Sequence, residues 1–188
     1  MDISKVCPNL RCLLDEITAL PRDEHVARIA ELINVHQHSI QLASATDTPT
    51  VPPDKYTCFM HAFDLVASQP VIEIAEAFNE TYPNGAFVAY LVDHYLFEVS
   101  HEEAKPGDIV VYACDIKIAH AGRFSDWKVI SKWGTGLLWE HAVAEVPSKY
   151  GNDVRFFHAL SGPMAEQAFV VYAKQREGPD VVDLLLGL

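Results

Sequence analysis

A cysteine at the start of a helix is the residue of this chain best suited to chemistry. In residues 52–65, PPDKYTCFMHAFDL, a helical pattern begins near Cys58, with Thr57 or Asp54 as its N-cap. Unpaired backbone N–H groups at a helix start favour a thiolate and can also hold the oxyanion of an attacked carbonyl. Cys58 therefore has two of the three features of a cysteine nucleophile, and the third is a base.

Two histidines are candidates for that base. His61 lies three residues after Cys58 on the same helix, where a third group can hardly orient it, so we assign it to the structure or to the pocket wall. His120 lies in KIAHAGRF, a predicted strand whose small and apolar residues leave room for a substrate chain. The alternative for His120 is a core histidine that hydrogen-bonds across the sheet.

The order of these motifs resembles the NlpC-type cysteine peptidases of the papain-like superfamily. In that family a cysteine at a helix N-terminus is followed by a Pro-Gly-Asp-aliphatic strand, here residues 106–111, and by a strand with His-small-Gly, here residues 120–122. The resemblance covers roughly residues 52–160. It implies a papain-like thiol protease or amidase in which Cys58 is the nucleophile and His120 is the general base and then the acid.

The resemblance also implies a third polar residue, on the strand after His120, that orients the histidine. The family has His, Asn, Gln or an acid there, whereas VISKWG offers Ser131 or Lys132, and a lysine cannot accept a ring N–H. Glu140 and His141 on the next strand are alternatives, and the Glu140 carboxylate is the most apt acceptor. This departure also fits a non-catalytic binding or interaction module on the same fold, which is the rival hypothesis.

Aromatic residues beside these motifs are candidate substrate contacts. The family has a tyrosine upstream of the cysteine, a role that Tyr56 would fill, although a tyrosine that only covers the helix start is the alternative. Trp133 falls on a predicted strand, as do Trp127 and Trp139, and these indoles either line a peptide or sugar groove or pack in the core. The resemblance implies a peptide or amide substrate, such as a bacterial cell-wall peptide.

The surrounding sequence predicts an α+β fold. Helical patterns in the first half precede short β-rich runs, from GDIVVYA to DVRFFHA, that are too close together for crossover helices. We therefore expect an antiparallel sheet with the cysteine-bearing helix packed on it, a papain-like NlpC-type core. A Ser-, Thr- and Pro-rich segment separates residues 1–50, a helical N-terminal extension packed on the main domain, from the α+β domain of residues 51–188.

Charge and hydropathy exclude several partners. The 188-residue chain has a formal charge of −12, from 26 acidic and 14 basic residues, with no basic stripe. We therefore expect neither a nucleic-acid nor a membrane partner, and a protein partner stays open. With no signal peptide and no apolar run near the ~20 residues of a bilayer span, the sequence indicates a cytoplasmic protein unless a signal-independent route exports it.

The four cysteines are expected to be reduced thiols. We predict that Cys114 is a small buried apolar residue. Cys7 and Cys12 are spaced C-x4-C and, with His36 and His38, would be a tetrahedral zinc set, although C-x2-C is the usual zinc pair. We favour two half-buried thiols and two exposed histidines, and hence no metal and no other cofactor.

Overall fold

One antiparallel sheet lies at the centre of the molecule. The computed structural model describes residues 1–36, 38–44 and 47–188, without the side chains of Val35 and His36. Its strands are β1 (Gln41–Leu42), β2 (Glu98–Val99), β3 (Ile109–Cys114), β4 (Lys117–Ser125), β5 (Lys128–Lys132), β6 (Leu138–Ala142) and β7 (Asp153–Phe157). They are ordered β1-β6-β5-β4-β3-β7-β2, and all six pairings are antiparallel. The predicted α+β class and antiparallel sheet are confirmed.

Helices cover both faces of this sheet. They are α1 (Pro8–Ile17), α2 (Arg22–His36), α3 (Cys58–Ala62), α4 (Gln69–Ala77), α5 (Gly85–His94), α6 (Gly162–Glu177) and α7 (Pro179–Leu186). Residues of α3 to α7 form one hydrophobic core with Ile109 and Val111 of β3. Residues of α1 and α2 form a second core with Val110 and Tyr112, because successive strand residues point to opposite faces.

The helix that carries Cys58 has only five residues. It ends at Ala62, and Asp64 just beyond it has a left-handed backbone with φ of 59°. At its start the Thr57 hydroxyl accepts the Met60 N–H at 3.1 Å, so Thr57 is the N-cap. At its end the Arg123 Nε–H of β4 donates to the Ala62 carbonyl at 3.1 Å, which fixes α3 on the sheet.

The N-terminal segment is joined to the sheet by buried polar contacts as well as by apolar packing. Arg11 of α1 is 1% exposed, and its guanidinium donates to the carbonyls of Val146 and Gly151 at 3.1 and 2.6 Å and to the Asn152 side chain at 2.7 Å. Because a buried guanidinium is stable only when its donors are satisfied, these bonds position α1 against the loop before β7.

Several local features differ from the sequence-based expectations. The C-terminal helices α6 and α7, which cover the first core, have no counterpart in the predicted elements. The prediction that Cys114 is buried is wrong, because β3 ends there and the chain turns at Asp115. Cys7 and Cys12 are exposed rather than half-buried. Of the suggested zinc ligands, the His36 side chain lies outside the described residues.

Candidate functional site

A cavity of about 1130 Å³ opens where α3 and α5 meet the ends of β4 and β5. Cys58 and His120 both line it, together with Tyr56, Lys132 and Tyr150. Most of the other lining side chains are apolar, which is typical of a binding cavity for an organic molecule. The two residues that the sequence singled out as nucleophile and base therefore face one common space.

Cys58 is the first residue of α3 and is half-buried. Burial of the sulfur raises the pKa of its thiol to about 11, and the backbone of Ala121 and the ammonium of Lys132 partly oppose this increase. At neutral pH the group is therefore a thiol in the unliganded protein. A nucleophilic role requires that a neighbouring group take its proton.

His120 lies at an irregularity of the β3–β4 pairing, where Tyr112 pairs with His120 and Ala113 pairs with Ile118. Its ring is 1% exposed and stacks on Tyr150, with centroids 3.9 Å apart and planes within 6°. Neither ring nitrogen has a hydrogen-bond partner among the described residues. Burial and the nearby His141 and Lys132 hold the pKa of His120 well below its usual value, so the ring is neutral.

Cys58 and His120 approach the cavity from different sides of the sheet. His120 pairs with Tyr112 of the second core, whereas Ala121, whose backbone contacts the Cys58 sulfur, belongs to the first core under α3. No hydrogen bond joins the thiol and the imidazole. Both residues line the cavity, and both ring nitrogens of His120 are buried.

The structure does not bring the predicted orienting residues to His120. Glu140 accepts hydrogen bonds from Lys128 at 2.6 Å and from Gln41 at 2.7 Å on the far side of β5. The Ser131 hydroxyl lies 2.8 Å from Nε2 of His141, in the second core. The expectation that Ser131 or Glu140 accepts an N–H of His120 therefore has no support, because both oxygens have other partners.

Ser131, Trp133 and His141 form a closed hydrogen-bond network, here called the Ser131 network. His141 Nδ1 lies 2.8 Å from the Ala142 carbonyl, which only accepts, so Nδ1 carries the proton and Nε2 accepts from the Ser131 hydroxyl. The indole N–H of Trp133 donates to the same hydroxyl at 3.0 Å. All three side chains are fully buried, and the pKa of His141 is lowered by burial to about 4.

Of the two predicted substrate contacts, one is at the cavity. Tyr56 lines it, with the Lys132 ammonium 5.3 Å from its ring centroid. Trp133 is fully buried against Trp139, with ring centroids 5.7 Å apart, and is not part of the cavity wall. Its assignment as a substrate contact is corrected to core packing.

His61 is separated from the Cys58 cavity although it is close in sequence. It lines a different cavity of about 390 Å³ with Asp64 and Arg123. Burial and the Arg123 guanidinium lower the pKa of His61 to about 4. This location agrees with its assignment to a pocket wall rather than to the base.

Two further cavity residues are Lys132, which the sequence offered only as a poor orienting residue, and Tyr150, which the sequence analysis did not single out. Lys132 is 1% exposed, its ammonium donates to the Gly134 carbonyl, and burial lowers its pKa to about 8. Tyr150 accepts the Gly134 N–H at 2.8 Å through its hydroxyl and packs on His120. The feature that could have indicated Lys132 was a lysine at the end of the strand KVISK, in which residues 129–132 are buried.

Comparisons of the chain with protein-family models, with curated proteins and with solved structures find no match. Within the part of the chain that the structure describes, no helix is long and apolar enough to cross a membrane.

Proposed function

We propose that the protein is a cysteine hydrolase of amide bonds, a peptidase or amidase on a papain-like, NlpC-type core. The observation that carries the proposal is that Cys58, at a capped helix start, and His120, on a facing strand, line the same cavity of about 1130 Å³. A nucleophile, a neutral base and an enclosed space are the components that acyl transfer through a thioester requires.

In this mechanism a ring nitrogen of His120 takes the thiol proton while the Cys58 sulfur bonds to the amide carbon. The carbonyl electron pair moves to oxygen beside the backbone N–H groups that begin α3, and it returns as the amine leaves with the proton from His120. Water then hydrolyses the thioester with the same histidine as base. The missing hydrogen bond between the two residues agrees with an unliganded site, where such contacts are commonly loose until substrate binds.

His120 has no polar orienting group among the residues that the structure describes, and Tyr150 is its positioning residue. The parallel stack at 3.9 Å fixes the plane of the imidazole, and the hydrogen bond from Gly134 in turn fixes Tyr150. Aromatic stacking leaves both ring nitrogens free, one to receive the thiol proton and one to face the interior.

The substrate is a peptide-like amide that the apolar wall can enclose, and the motif order favours a cell-wall-type peptide. The test measures amine release from cell-wall stem peptides and from N-acetyl dipeptide amides by mass spectrometry. We expect Cys58→Ala and His120→Ala each to lower turnover by at least about a hundredfold. His61→Ala is the matched control and keeps turnover, since His61 lines another cavity.

Retention of wild-type turnover by Cys58→Ala would overturn the hydrolase proposal. The second candidate is a non-catalytic binding module, favoured by the raised pKa of the Cys58 thiol and by the absence of a hydrogen bond to His120. It predicts that stem peptides bind in calorimetry with similar affinity to the wild type and to Cys58→Ala, and that they are recovered intact.

A further inference from the structure

Lys132 is a buried cation with no carboxylate in ion-pair contact among the described residues, and the nearby Asp54, which acts on it from a distance, is paired with Arg22. Its ammonium donates to the Gly134 carbonyl, lies over the Tyr56 ring and has no described carboxylate within the 4.0 Å of an ion pair. Burying a charge in this way is costly unless the charge has a partner. The remaining N–H donors of Lys132 therefore require an explanation, and its position in the cavity wall suggests one.

Lys132 lies toward Ala121, the residue whose backbone interacts with the Cys58 sulfur. The β4–β5 pairing ends at Arg123 and Ile130, but the Ser131 Cβ still packs against Gly122. Continuing along the two antiparallel strands brings Lys132 toward Ala121. The Ala121 backbone interacts with the Cys58 thiol, and the ammonium is close enough to lower the pKa of that thiol. In return, the thiolate form of Cys58 raises the pKa of Lys132. The two groups are electrostatic neighbours on one side of the sheet.

A buried thiolate needs a nearby positive charge, and the other candidates for that charge are weak. His120 is neutral in the resting site, and α3 has only five residues, so its dipole is small. Many cysteine nucleophiles have an imidazolium in this position. Two other lysines of the cavity wall, Lys55 and Lys117, are exposed, whereas the buried Lys132 is the lysine whose charge acts on the Cys58 thiol.

We propose that Lys132 is the counter-charge of the Cys58 thiolate, an inference that rests on the proposed role of Cys58 as nucleophile. The S–H bond breaks, its proton passes to a ring nitrogen of His120, and the electron pair stays on sulfur beside the Lys132 ammonium. Lys132 keeps its own proton throughout. When the sulfur attacks, the S–C bond forms and the lysine charge then stabilises the electron pair that has moved to the carbonyl oxygen.

The test is the pH profile of Cys58 alkylation by iodoacetamide, read peptide by peptide in a mass spectrometer because the other three cysteines are exposed. We expect Lys132→Met to slow alkylation about tenfold at pH 7.5, which corresponds to one unit in the pKa of the thiol. Lys128→Met is the matched control, since Lys128 lies on the same face of β5 and is paired with Glu140. Its alkylation rate stays at the wild-type value.

If Lys132→Met does not fold, Lys132→Arg tests the counter-charge role of Lys132. The wild-type lysine loses its charge above about pH 8, so the rise of alkylation rate with pH becomes shallower there. Lys132→Arg keeps the charge, and its rate continues to rise tenfold per pH unit. A wild-type rate in Lys132→Met, an equal slowing in Lys128→Met, or a break near pH 8 in Lys132→Arg would overturn the inference.

These outcomes are distinguishable from failure of the hydrolase proposal. Alkylation reports the thiolate whether or not any amide is cleaved, whereas amine release from peptides reports hydrolysis. A shifted alkylation profile without peptide turnover retains the counter-charge and removes the hydrolase. Peptide turnover that depends on Cys58 but not on Lys132 retains the hydrolase proposal and removes the counter-charge role of Lys132.

Discussion

Two polar clusters lie on opposite faces of the same strand, and they differ in how their hydrogen bonds are satisfied. On one face, the Ser131 network closes on itself and on the Ala142 carbonyl. On the other, Lys132 and Cys58 border an open cavity, and no described carboxylate is in ion-pair contact with the Lys132 ammonium. A serine hydrogen-bonded to a histidine resembles a catalytic pair, but here it is sealed in the core and stabilises the fold. Unsatisfied groups at an accessible cavity are the better indicator of function.

The largest expected effect is the pH dependence of stability that His141 contributes. Its pKa in the folded protein, about 4, lies below the unfolded value near 6.5, so the unfolded chain binds the proton more readily. The associated stability is present above pH 6.5 and is lost as the pH falls to about 4. The loss approaches about 3 kcal/mol. Urea unfolding between pH 4 and 7 measures it, and His141→Gln should show a flatter dependence.

The next effect tests the closed network directly. Ser131→Val leaves the acceptor Nε2 of His141 and the donor Nε1 of Trp133 buried without partners, which lowers the free energy of unfolding by about 1–3 kcal/mol. Urea unfolding of the wild type and of Ser131→Val at pH 7.5 measures this decrease in the free energy of unfolding. Alkylation of Cys58 in the folded variant should keep the wild-type rate, and a large fall would show that the two faces are coupled.

A smaller effect is expected at Tyr150, which stacks on His120 and lines the cavity. Tyr150→Leu removes the stack on His120 and should lower kcat for amide hydrolysis about three- to tenfold, the value of one aromatic pair. Tyr150→Phe keeps the stack and loses only the hydrogen bond from Gly134, so its kcat should stay near that of the wild type. Equal losses in the two variants would contradict a positioning role for the ring.

The smallest effect is expected at Glu140, which belongs to neither cluster. Its ion pair with Lys128 is partly exposed, and such pairs contribute about 0–1 kcal/mol. Glu140→Gln should therefore change the free energy of unfolding by less than about 1 kcal/mol and leave both alkylation and hydrolysis unchanged. A large fall in hydrolysis would restore Glu140 as an orienting residue.

The strands and the cysteine-bearing helix start could be predicted because their signals are local. Alternation and turn residues mark β3 to β7, and a threonine before the cysteine supplies the cap at α3. The C-terminal helices could not be recognised in the same way. Helix α6 has only a weak amphipathic pattern, since Phe169 and Tyr172 are buried while Val171 is exposed on the same helix.

The sequence by itself determined the α+β class, limited the cap of α3 to Thr57 or Asp54, and paired Cys58 with His120 as candidates for one site. Only the tertiary structure decided that Ser131 belongs to the core and Lys132 to the cavity. The physical reason is the two-residue period of a strand, which sends neighbouring side chains to opposite faces. Because Ser131 and Lys132 are consecutive in a strand, their side chains point to opposite faces of the sheet. The elements packed on β5 decide which of the two lies beside Cys58.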